Sequence, residues 1–349
     1  MSDADAARDG ELERLAATVA DFRRRNAETP DGLFPAQADA LLQMGTLLWS
    51  KGQRDEALAA IAESVEIFRA LSVIEPQTFC INLASALNTL SGRLTEVGND
   101  NDAATAGEAA VELARASMEL QPGQTRFVLV SVLISQAGRR LRGGDIAGAV
   151  ESLTGAVKVF REGGQEGAPY LGAMIEALHR SAIAFTELGL WPEAIDTRRL
   201  IVDLFPEGTP PAVVHLLALT LHQAALALSR NGRFGDAHAC ADEACELGRI
   251  LFKADPEQYR LFMAQTLGSL AGRRHEVGRT QDSLDPALEA VDLFHTAVNA
   301  DPKAAVPALV LTLESLAEIL AALGLADQAA VVQAQHTQLK GAMENAAED

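Results

Sequence analysis

A glycine recurs along this chain at a nearly fixed interval: Gly52, Gly98, Gly144, Gly189, Gly232, Gly278 and Gly324, with gaps of 46, 46, 45, 43, 46 and 46 residues. Self-similarity at such a period marks a stacked repeat array, each unit being one supersecondary motif that cannot bury its apolar face alone. The flanking registers say which motif. Eleven residues before each glycine stands leucine, from Leu41 and Leu87 through to Leu313. Seven before it stands a small residue: Gly45, Ser91, then alanine from Ala137 to Ala317. Five after it stands alanine, with Ser283 the exception, and thirteen after it Val65, Val111, Val157, Val202, Cys245 and Val291, with Thr337 breaking the set. A large and a small apolar residue four apart share a helix face. The small one admits a second helix, and the glycine makes the tight turn between the two. Each unit is a helical hairpin.

The small-Gly-Ala register, as in Gly45, Gly52 and Ala57, resembles the signature of the tetratricopeptide repeat family, and segments such as LNTLSGRLTEVG (87–98) resemble the long-helix arrays of actinobacterial proteins. The unit is longer than that family's usual ~34 residues, and the family's aromatic positions are mostly leucine here. VADFRRRNAETP (19–30) aligns with VEIFRALSVIEP (65–76), so that Val19 matches Val65, Phe22 matches Phe68 and Pro30 matches Pro76. Residues 8–28 thus read as a half repeat, followed by seven hairpins over 31–344. The expected fold is all-α, one domain spanning 1–349, a right-handed superhelical solenoid of about seven and a half hairpins. Fifteen helices follow, and no strand, since β-branched residues never alternate with polar ones over a strand's length.

Composition bounds the partners. The net charge of −19 argues against nucleic acid, which needs a basic surface, and against an anionic membrane surface. A basic protein or peptide fits it, as does plain solubility. The start of the chain lacks the basic-then-apolar pattern of a leader, and no stretch is expected to reach the ~18 uncharged apolar residues of a spanning helix. Cys80, Cys240 and Cys245 have no metal-like spacing and read as reduced core residues. The expected compartment is the cytoplasm.

Prolines 76, 122, 169, 256 and 302 mark linkers, since proline cannot continue a helix and often begins the next. The fourth repeat is shortened by LFPEGTPP (204–211), which predicts a short second helix from Trp191 to about Phe205 and a notch near residue 206. Trp191 is expected to be partly exposed and packed on the next hairpin. REGGQEGAP (161–169) reads, by its glycines, as the most flexible linker, and the two chain ends have little to bury.

No catalytic signature is present: no phosphate loop, no HExxH, no CxxC. GGDIAG (143–148) is the turn of the third repeat. The residues of interest lie on the first helix of each hairpin, which the resemblance places on a concave surface. Ten residues before each glycine stand Leu42, Asn88, Ile134, His179, His222, Gly268 and Glu314, a register that accepts every polarity. His179 and His222 hold equivalent places in adjacent repeats, with Arg180, Gln223 and Arg230 nearby. Three readings are open: solvated polar residues, a polar floor that binds a peptide or protein, and a metal or acid–base pair. If these positions have no packing duty, alanine there should shift stability by no more than about 0.5 kcal/mol. A second ladder, Gly92-Arg93, Gly138-Arg139 and Gly272-Arg273, places helix-interior glycines at one register, each costing ~1 kcal/mol relative to alanine. Either the next helix or a partner packs there, and Glu96 and Glu276 offer Arg93 and Arg273 local ion pairs.

The expected function is a protein- or peptide-binding scaffold or regulatory receptor, without catalysis, cofactor or metal. Asn88, Arg139, His179, Arg180, His222, Gln223 and Arg230 are its expected contact residues. A helical-cavity enzyme of specialised metabolism using a histidine acid–base, and a regulatory module of a signalling or defence assembly, are the alternatives. Self-association is compatible with all of them.

Overall fold

A computed structural model of the chain describes residues 3–28 and 34–348. Pro30, whose alignment with Pro76 helped define the half repeat, lies outside the described residues, as do Met1, Ser2 and Asp349. Among the described residues there are fifteen α-helices and no strand. The half repeat is α1 (Asp3–Glu28). The seven hairpins are α2 (Pro35–Ser50) with α3 (Arg54–Ile74), α4 (Pro76–Glu96) with α5 (Asp100–Leu120), α6 (Pro122–Arg142) with α7 (Ile146–Arg161), α8 (Leu171–Glu187) with α9 (Trp191–Val202), α10 (Pro211–Arg230) with α11 (Phe234–Ala254), α12 (Pro256–Glu276) with α13 (Thr280–Ala300), and α14 (Pro302–Ala322) with α15 (Ala326–Glu348). The chain divides into two compact units, Met1–Leu178 and His179–Asp349.

All seven register glycines adopt a left-handed backbone, with φ between +72° and +81°, which only glycine enters without strain. The leucine register is buried throughout, Leu41, Leu178 and Leu267 having no exposed surface. The small register explains itself in the first unit. A Cβ on Gly45 would lie 2.5 Å from Ile61 and 3.0 Å from the carbonyl of Ala57. One repeat later the hydroxyl of Ser91 donates to the carbonyl of Ala103 at 2.5 Å. The two helices of a hairpin therefore meet where the small residue faces the register alanine.

Helix starts follow the prolines. Pro76, Pro122, Pro256 and Pro302 each open a helix, and Asp255 and Asp301 cap theirs by accepting from the amides of Gln258 (3.0 Å) and Ala304 (3.1 Å). An N-cap followed by proline satisfies one orphan amide and removes another.

In the glycine-rich 161–169 segment, Gly164–Tyr170 forms a 3-10 helix. Gly167 lies over the Phe160 ring, where a Cβ would approach to 3.1 Å, and Tyr170 stacks on Phe127 at 4.2 Å. Gly167 thus serves close approach, while Gly164, at φ +53° with nothing within 4 Å of a built Cβ, serves the left-handed turn. One expectation, that no stretch reaches the length of a spanning helix, needs correction. Two helices, Pro211–Arg230 and Pro302–Ala322, are long and apolar enough to cross a membrane by length and composition. Their apolar residues have packing duties within the second unit: Leu217, Leu221, Ala224 and Leu228 of α10 form one core cluster with Ala237 and Ala244 of α11.

The fourth repeat is shortened as its period predicts, α9 having 12 residues against 21 in α11. Trp191 is partly buried and packs against the core formed with α10 and α11. A cavity of about 250 Å³ opens beside it, lined by Ile195, Arg199, Arg233 and Glu243.

Candidate functional site

The first helices of the second unit build a cleft of about 510 Å³. Its floor is glycine-stepped. A Cβ on Gly268 would lie 2.5 Å from Thr312 Oγ1, so α12 and α14 can approach there only because the side chain is missing. One turn later Gly272 has only Ser315 Oγ within reach, at 3.7 Å. Leu226, Ala308, Pro307 and Leu311 supply apolar surface, and Leu311 is 65% exposed. The polar rim is His222, Arg230, Arg273 and Glu314.

Of the expected contact residues, His222 and Arg230 line this cleft. His222 packs edge-on to Phe262 at 6.4 Å, and its buried Nδ1 has no hydrogen-bond partner. Burial, and then the Arg273 cation, push its pKa down to about 4. It is therefore neutral near pH 7, one nitrogen carrying an unused polar valence. Arg230 is exposed at the end of α10, and Gln223 is exposed on the same helix.

His179 is not a free floor residue. Its Nδ1 lies 2.5 Å from Nη1 of Arg198 on α9. Arg198 is only 6% exposed, and it stands where Ile61, Leu153, Ala241 and Ala287 stand in other repeats. Burial and this cation lower the His179 pKa, so the ring accepts from the guanidinium as neutral imidazole. With the hydrogen on Arg198, Nδ1 is the acceptor. The premise of no packing duty therefore fails for His179, which holds a buried cation, and for His222, which is half-buried against Phe262. Arg180 is exposed on α8.

The other two residues lie in the first unit. Asn88 lines a cavity of about 800 Å³ with Phe127, Ser131 and Tyr170, and its buried Oδ1 has no partner. Arg139 lines another, of about 590 Å³, with Glu108, Gln136 and Arg142. Of the seven expected residues, His222 and Arg230 thus share one cavity, while Asn88 and Arg139 line separate ones in the first unit.

In the glycine–arginine ladder, Gly92 and Gly138 have nothing within 4 Å of a built Cβ, so the next helix is not the reason for them. The ion pairs are made, Arg93 to Glu96 at 2.6 Å and Arg273 to Glu276 at 2.7 Å. The sequence reading missed what those glutamates do next. Glu96 also accepts from Trp49 Nε1 at 2.8 Å, and Glu276 from Ser229 Oγ at 2.8 Å, each pair 47 residues apart. Trp49 and Ser229 both stand three before their glycine, so one device ties consecutive repeats in both units.

Chemically the second cleft offers donors, acceptors and apolar surface. Neither histidine has a carboxylate partner among the described residues. No group of three or more His, Cys, Asp or Glu among them is placed to hold a metal.

Residues 217–257, which span α10 and α11, match the tetratricopeptide repeat family model. No curated protein sequence matches the chain. Among solved structures, the chain is similar to BtubC from P. vanneervenii at 17% identity and a TM-score of 0.35, covering 70% of this chain and 92% of that one. It is similar to a signal transduction ATPase with a tetratricopeptide repeat sensor from Pyrococcus horikoshii, at 11% identity and a TM-score of 0.39, covering 93% and 46%. Apo RapI gives 11% identity and a TM-score of 0.39, covering 86% and 76%. The matched hairpin is thus similar to a tetratricopeptide repeat, and its turn glycine recurs in register at seven left-handed positions along the chain.

Proposed function

We propose that the protein is a peptide- or protein-binding scaffold, acting in the cytoplasm, whose second unit holds an extended segment in the cleft lined by α10, α12 and α14. The observation that carries this reading is Leu311. A leucine 65% exposed, on a cleft wall facing glycine-stepped helix surface, is unused apolar area of the kind interfaces cover. Around it, Arg230 supplies an exposed cation and Glu314 an exposed carboxylate, so a backbone carbonyl or amide can be gripped while Leu311 takes an apolar side chain. The position of these groups at the rim of an apolar patch matches the anatomy of a small protein interface.

The test begins with affinity capture on the full chain and identification of the bound protein by mass spectrometry. The binding segment is then titrated against wild type and Leu311→Glu by calorimetry. Truncating or charging a central apolar contact costs more than about 1 kcal/mol, so affinity should fall by about tenfold or more. Unchanged affinity in a folded variant would place the binding surface elsewhere.

A further inference from the structure

The inter-repeat device described above is present at the junction of repeats one and two and at that of repeats five and six. At the junction of repeats two and three it is broken. There the arginine is Arg139, in register with Arg93 and Arg273, but the place of Glu96 and Glu276 is taken by Arg142. The fold keeps the cation and replaces its anion with a second cation.

The consequences are visible around Arg139. Its Nη1 and Nη2 are buried and have no hydrogen-bond partner, whereas the guanidinium groups of Arg93 and Arg273 are paired. Burial, and then the charge of Arg142, push the Arg139 pKa down to about 10. Its guanidinium lies flat on Gly107 of α5, where a Cβ would run into it. Arg140 is engaged elsewhere: it donates to the Gly148 carbonyl at 2.9 Å, as Arg274 donates to the Asp282 carbonyl at 3.1 Å in the sixth repeat. Arg139 and Arg142 both line the 590 Å³ cavity, which reaches the turn ends at Gly98 and Gly143. The acidic groups facing it are Asp100 and exposed Glu108, and neither forms an ion pair with Arg139. A buried cation with unmade hydrogen bonds costs free energy unless an anion meets it.

We infer that this junction is an oxyanion site: Arg139 and Arg142 bind a carboxylate or phosphate group from outside the chain, in the place that Glu96 and Glu276 fill in the repeats where the chain supplies its own. The planar guanidinium suits a two-oxygen acceptor. With a net charge of −19, the chain as a whole repels anions, so binding here depends on the local pair rather than on a general basic surface. The site lies at the turn ends of the first unit and is independent of the cleft proposed above.

The decisive variant is Arg142→Glu, which restores the residue found at this register in repeats two and six. Arg142 is exposed, so the variant should fold. Thermal midpoints of the full chain are measured with succinate, inorganic phosphate and an acetylated tetraglutamate amide, each against sodium chloride of equal ionic strength. Wild type should be stabilised by at least one of the three, since a ligand that binds only the folded state raises stability by mass action. Arg142→Glu should have a higher midpoint without ligand and should lose the ligand-induced shift, with affinity reduced about tenfold or more, as removal of a charge-assisted contact predicts. Arg139→Met should lose the shift as well. Stabilisation by succinate or phosphate identifies a free small anion as sufficient, and stabilisation by the peptide alone identifies an acidic protein segment. No shift with any of the three, or an equal shift in wild type and Arg142→Glu, overturns the inference.

Discussion

Arg198 reaches from α9 to hold His179 of α8, Nη1 to Nδ1, at 2.5 Å. A position first read as a ligand contact is a support for a buried cation, and the two residues cannot be altered independently. His179→Ala leaves Arg198 buried without its acceptor, which costs about 1–3 kcal/mol. Arg198→Leu removes the cation and installs the residue type of Leu153, so it should be much milder. Denaturant midpoints of the two single variants and the double variant measure this, and the double should be more stable than His179→Ala alone. Equal costs for the two singles would mean that the pair carries no such asymmetry.

Stability should begin to fall on acidification as pH drops below the ordinary histidine range. His222 is depressed to about 4 from 6.5, and His179 and His215 are depressed in the same direction, burial being the main cause for all three. The unfolded chain takes up protons below pH 6.5 that the folded chain refuses. The stability these neutral rings confer is present in full above pH 6.5 and is lost as pH falls toward 4, by about 3 kcal/mol from His222 alone. His222→Gln should flatten the urea-midpoint profile over that window. A profile identical to wild type would contradict the assignment.

The hairpin packing should be intolerant of size. Ala182 and Ala225 have no exposed surface, and leucine at either should overpack the hairpin and cost roughly 1–3 kcal/mol. The turn glycines predict a similar loss by another route: Gly232, at φ +75°, replaced by alanine, should cost about 1–2 kcal/mol through left-handed strain. Unchanged chemical-denaturation midpoints in these variants would contradict the register.

Fold and site were unequally legible. The turn glycines, Leu41 to Leu313 and the small residues facing them repeat, and a repeated constraint can be read by comparing the chain with itself. The short α9 was visible in the period for the same reason. Sites are departures from the repeat, and a departure gives no partner. Arg198 departs from a mostly apolar register, a departure the sequence reading passed over, and only the fold shows that it turns onto His179. Glu96 was seen as a partner for Arg93 three residues away, but Trp49, 47 residues away, could be assigned only once consecutive hairpins were side by side. In 161–169 glycine serves both a left-handed turn at Gly164 and close contact at Gly167, and the sequence alone does not separate the two.

The central claim, that the second-unit cleft is where a partner binds, turns on Leu311. Calorimetric titration of the captured binding segment into wild type and Leu311→Glu, with far-ultraviolet circular dichroism to verify folding, tests it most directly. The account predicts at least a roughly tenfold loss of affinity with the helical spectrum intact. A variant that binds as tightly as wild type would contradict it.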